Sequence, residues 1–141
     1  MEISDVRRRV TETVDRAKRA AAARRARSDQ AARDYSTFLE TLAVPLFRQV
    51  ANALKAQGFP FVVFTPSGSV RLASEKAGED YIELYLDASG DEPTVVGHSR
   101  RARGRRIIEN EGPIGAGPIE QLTETQVLDY VLRELEPLVE K

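Results

Sequence analysis

The chain has 141 residues, of which 41% are hydrophobic and 30% charged, with no cysteine and a formal net charge of −1. That balance belongs to a folded globular protein rather than a disordered chain, and the missing cysteine excludes disulfides, thiolate nucleophiles and the common zinc sites. No apolar run approaches a membrane span, and the first residues, Glu2, Asp5 and Arg7 to Arg9, lack the apolar core of a secretory signal, so a cytoplasmic protein with no membrane partner is expected.

The charge is unevenly spread. Residues 1–34 carry ten Lys/Arg against six Asp/Glu, whereas residues 107–141 carry two against eight. A basic front and an acidic tail can steer different partners to different surfaces, or neutralise each other between chains.

From Met1 to Val44 there is neither glycine nor proline, and alanine, arginine and acidic residues dominate. Gly and Pro cost about 1 and about 3 kcal/mol inside a helix, so this stretch predicts one extended helix. An apolar seam in steps of three and four runs through Ile3, Val6, Val10, Val14, Ala17 and Ala21, weakens across Arg24 and Ser28, and resumes at Ala31, Tyr35, Phe38 and Leu42. Val10, Val14, Tyr35, Phe38 and Leu42 are its strongest anchors and the expected oligomer interface. Pro45 lacks an N–H and its ring meets the carbonyl of Thr41, which predicts a kink there. The division expected is a helical, possible coiled-coil segment over 1–44 and a small α+β domain over 45–141.

Leu46, Phe47, Val50, Ala51 and Leu54 predict a second helical segment ended by Gly58 and Pro60. Phe61–Phe64 and Ser69–Ala73, separated by Pro66-Ser67-Gly68, read as a hairpin. Tyr81–Leu86 alternates cleanly, with Ile82, Leu84 and Leu86 on one face and Tyr81, Glu83 and Tyr85 on the other. Thr94–Val96 and Arg106–Ile108 are shorter strand candidates. Thr123 opens a Thr-x-x-Gln capping box before an amphipathic helix carrying Val127, Leu128, Val131, Leu132, Leu135 and Leu138. The fold expected is α+β: a long N-terminal helix kinked near Pro45, an antiparallel meander of three to five strands, and a C-terminal helix on one sheet face.

Two arginine clusters are the candidate binding residues. Arg100, Arg101, Arg103, Arg105 and Arg106 fall within seven positions, and guanidinium forks match phosphate oxygens, so nucleic acid is a candidate partner; pairing with the acidic tail is the alternative. Arg16, Lys18, Arg19, Arg24, Arg25 and Arg27 form an acid-free run on the long helix, read as a second phosphate-contacting segment or as a solvated surface. Gly112 to Pro118 resembles a phosphate loop only superficially, because no helix follows directly.

Catalysis finds little footing. A single histidine, His98, and no metal-ligand or nucleophile-elbow pattern leave no expected catalytic residue, metal or cofactor. The function expected is a non-enzymatic interaction module, a homo-oligomer through its first helix that also offers arginines to nucleic acid. The alternative is an adaptor or accessory subunit whose first helix docks a protein partner, with no nucleic-acid role.

Overall fold

A computed structural model describes residues 1–140. Helix α1 spans Ile3–Phe38, a π-helical turn follows over Leu39–Ala43, and α2 continues over Val44–Ala56. The irregularity expected at Pro45 takes the form of this turn. Val44 donates its N–H to Leu39 O, five residues back, so the ladder is already widened where the proline ring would crowd the carbonyl of Thr41. Helicity is therefore kept through Pro45 rather than lost. The helix ends at Gly58, which takes a positive φ of 86°.

Five strands follow: β1 Phe61–Phe64, β2 Ser69–Ser74, β3 Tyr81–Asp87, β4 Thr94–Arg103 and β5 Arg106–Pro113. They form one antiparallel sheet in the order β1-β2-β3-β4-β5, so β3 is the central strand. Register decides the faces. Ile82 sits opposite Leu72 and Ser99, and Leu84 opposite Val70 and Gly97, so these positions share one side. Val70, Leu72, Ile82 and Leu84 are fully buried there, while Leu86 is partly buried.

Helix α3, Glu124–Val139, closes the layer. Its capping box is formed: Gln126 N–H donates to Thr123 Oγ1 at 3.2 Å and Thr123 N–H donates to Gln126 Oε1 at 2.9 Å. Val127, Tyr130, Val131 and Leu135 face the sheet. Leu132, expected inside, is 48% exposed; Tyr130 fills the stripe in its place.

The core draws on residues ahead of position 44. Tyr35 and Phe38 are each 5% exposed and join Ala43, Leu46 and Phe47 beneath the sheet, with Ala31 and Leu42 packed against them. Tyr35 also donates its hydroxyl to Gly68 O in the β1–β2 turn at 2.5 Å. Tyr35 and Phe38, expected at an oligomer interface, thus anchor the helix to its own domain, and Leu42 is half-buried beside them. The seam alone did not reveal which part of it the domain would cover.

Candidate functional site

The seam of α1 divides into a used and an unused part. Ala31, Tyr35, Phe38 and Leu42 carry it into the core, and Arg24, Arg25 and Ser28 border a cleft against the β3–β4 turn at Ala88–Asp91 and Pro93. N-terminal to this, Ile3, Val6, Val10 and Val14 remain exposed, Val10 at 55% and Val14 at 43%. Of the anchors expected at an interface, these two valines lie on a free surface. Ile3, Val6 and the flanking Ala17 and Ala21 continue the same stripe, with Arg9 and Thr13 beside it.

Every member of the first basic cluster, Arg16, Lys18, Arg19, Arg24, Arg25 and Arg27, is exposed on α1. None reaches salt-bridge range of a carboxylate among the described residues; Arg16 donates to Thr13 Oγ1 at 3.2 Å. At 100° per residue the six spread around the cylinder rather than sharing one side.

The second cluster is not a loop. Its residues form the end of β4 and the start of β5, joined at Gly104-Arg105, with Arg103 paired to Arg106. Gly104 has φ 61°, the left-handed conformation that two-residue hairpins need at their first central position. Because β3 pairs with β4 only as far as Arg100, the rest projects as a two-stranded ribbon. Asp80 Oδ1 pins it by accepting from Ala102 N–H at 2.8 Å.

The ribbon splits the arginines. Arg100 lies on the open sheet face, 3.5 Å from Glu109. Arg101, Arg103 and Arg106 alternate onto the helix side, where Arg103 donates to Pro137 O at the end of α3 at 3.0 Å. Arg105 sits in the turn, exposed like Arg103 and Arg106. Arg101, Arg105 and Arg106 have no carboxylate in salt-bridge range among the described residues. The acidic tail therefore meets the cluster at two points, the Glu109 carboxylate beside Arg100 and a backbone carbonyl at the end of α3 for Arg103.

The two clusters sit at opposite ends of the sheet. The α1 run borders the β3–β4 turn, whereas the ribbon tip is the β4–β5 turn, and the ten residues of β4 between them span about 33 Å. Only an extended polyanion would touch both.

The open sheet face joins Tyr81, Glu83 and Tyr85, which the alternation of β3 already places together, to residues of other strands. Arg71 pairs with Glu83 at 2.8 Å and stacks over the Tyr81 ring at 4.1 Å. Tyr81 meets His98 edge-on, His98 Nε2 lies 3.6 Å from Glu109, and Tyr85 donates to Glu111. That hydrogen bond raises the Tyr85 hydroxyl to about 12. Arg71, Glu109 and Glu111 become partners only through the β2–β3 and β4–β5 registers, which no local motif announces. The polar groups of the face engage one another, Glu109 meeting both His98 and Arg100, which suits a sheet side with no helix over it.

No cluster of three or more metal-ligating side chains occurs among the described residues, and no helix there is long and apolar enough to cross a membrane. Comparison with known proteins supplies no relative: no family model, no curated protein and no solved structure matches this chain.

Proposed function

We propose that this chain is a non-enzymatic interaction module that self-associates through the N-terminal part of α1. The observation that carries the reading is the run of exposed Ile3, Val6, Val10 and Val14, continuous with a stripe that farther along is buried in the core. Burying a valine or isoleucine side chain stabilises by roughly 1.5–3 kcal/mol, and apolar residues aligned on one exposed face mark a contact surface. Tyr35 and Phe38 fix the far end of α1 in the core, so the stripe is offered on a helix already formed. The test is the mass of the full chain in solution against that of a Val10→Glu/Val14→Glu variant, which removes the stripe and leaves the core untouched. A cysteine-free chain suits a reducing compartment, and we place its activity in the cytoplasm.

A second reading, favoured by the ribbon, is polyanion binding by Arg101, Arg103, Arg105 and Arg106. Four guanidinium groups on a pinned hairpin repel one another, and an anionic ligand would relieve that repulsion. Docking of α1 on a foreign protein is the remaining possibility and would leave the chain monomeric by itself.

A further inference from the structure

We propose that β1 is a strand-addition site: its free edge, walled by α2, takes an extended segment of another protein in which acidic residues alternate with apolar ones. The site lies on elements that the α1 stripe does not use, so it is independent of self-association.

Register decides where the backbone groups of β1 point. Glu75 donates its N–H to the O of Pro60 directly opposite, so Val62 with Ala73 and Phe64 with Arg71 are the next hydrogen-bonded pairs of the β1–β2 ladder. Phe61 and Val63 fall between them and turn their N–H and C=O groups away from β2. No strand lies beyond β1, and no backbone hydrogen bond reaches these groups among the described residues. They border a cleft of about 470 Å³ whose other wall is α2, through Arg48, Asn52 and Lys55.

An edge strand invites pairing unless something blunts it. The opposite edge, β5, carries Arg106, Glu109 and Glu111 within its length. In β1 there is no charge: Phe61-Val62-Val63-Phe64 are all β-branched or aromatic, types that favour strand pairing, and Phe64 is 52% exposed. Unpaired donors and acceptors at every second residue match the backbone of one extended chain, whereas a helix has already spent its own backbone groups internally.

Side chains specify the segment. Residues of an added strand point alternately to the two sides of the sheet. On the α2 side they meet Arg48 and Lys55, both exposed and without a carboxylate in salt-bridge range among the described residues; Glu75, at the Pro60 end, is the one acid on the cleft walls. On the open side they meet Val62 and Phe64, which share that side with Arg71. Acidic residues suit the first set and apolar residues the second. A second copy of this chain fits worse, because an antiparallel pair of β1 strands would bring Arg48 and Lys55 of both copies together on one side of the sheet.

The probe is a labelled peptide, acetyl-Val-Glu-Val-Glu-Val-Glu-amide, titrated into the full-length protein and followed by fluorescence anisotropy and by amide NMR shifts. Binding should shift the amides of Phe61 and Val63. Arg48→Glu/Lys55→Glu, on the helix surface, should weaken it by about tenfold or more with unchanged circular dichroism, and so should N-methylation of the peptide throughout, which removes its backbone donors. Absence of binding at millimolar peptide, or equal affinity for either the charge-reversed protein or the methylated peptide, would overturn the proposal. Val63→Pro removes an edge N–H that the β2 ladder does not use, and should also abolish peptide binding. A parent dimer that Val63→Pro dissociates and the peptide does not would give β1 to a second copy and overturn the acidic segment as its occupant.

Discussion

The ring of Tyr130 in α3 lies over Gly97 of β4, in the space a side chain at position 97 would fill: a β-carbon there would overlap the ring. The glycine is therefore what lets α3 settle against the sheet. Gly97→Ala should destabilise by about 1–3 kcal/mol through overpacking, measured by chemical denaturation. Adding Tyr130→Leu should recover part of the loss, because it removes the ring that collides. A double variant no more stable than Gly97→Ala would mean that the contact does not set the helix position.

Two tyrosines in the core should respond differently to loss of their hydroxyls. Tyr35 donates to Gly68 O, whereas the buried Tyr130 hydroxyl has no hydrogen-bond partner among the described residues. Tyr35→Phe should cost about 1–2 kcal/mol and Tyr130→Phe should be close to neutral. The same denaturation curves decide it, and an equal cost for both would contradict the assignment.

Alkali should weaken the fold through Tyr35. Burial, reinforced by the charge of Glu83, raises its hydroxyl from 10.0 to about 12. A group whose pKa is raised by folding favours its protonated form in the native state, so this stabilisation is complete below pH 10 and is lost as pH rises towards 12. The expected result is a fall in stability across that window that is shallower in Tyr35→Phe, followed by circular dichroism. An identical slope in the variant would show that Tyr35 does not drive the transition.

On β3, Leu84 is fully buried at the centre of the sheet, and Glu83 pairs with Arg71 on the open side with 14% of its side chain exposed. Leu84→Ala should cost about 2–5 kcal/mol, and Glu83→Gln, which keeps the shape and an acceptor for Arg71, should cost less. Equal losses would mean that the faces of β3 are reversed.

The elements that were legible in the sequence are those with strong local signals. The run from Met1 to Val44 without Gly or Pro, the alternation of Tyr81–Leu86 and the Thr123/Gln126 box each have a local physical cause, and each forms the element it indicates. What was not legible depends on partners distant in the chain. Tyr35 and Phe38 carry the same helical spacing as Val10 and Val14, and only the position of the folded domain separates buried from free. The strand character of Ser99–Arg103 was hidden because consecutive arginines interrupt the apolar alternation that marks a strand. Helical spacing alone favours Leu132 over Tyr130, because the role of Gly97, opposite Tyr130, cannot be read from either segment by itself.

If the ribbon binds nucleic acid, its salt dependence should count the arginines involved. Each phosphate neutralised on duplex DNA contributes about −0.9 to the slope of log affinity against log salt, so replacing Arg101, Arg103 and Arg105 by alanine should flatten it by up to about 3. Fluorescence anisotropy with duplex DNA, single-stranded DNA and RNA reads this. Absence of binding to all three at low salt would remove the second reading, and so would an unchanged slope in the triple variant.

Sedimentation equilibrium of the full chain bears most directly on the central claim. The unmodified protein should sediment as a dimer at micromolar concentration, Val10→Glu/Val14→Glu as a monomer with unchanged circular dichroism, and Leu132→Glu, on an equally exposed leucine away from the stripe, as a dimer. A monomeric parent, or a dimer that survives Val10→Glu/Val14→Glu, would contradict self-association through the N-terminal part of α1.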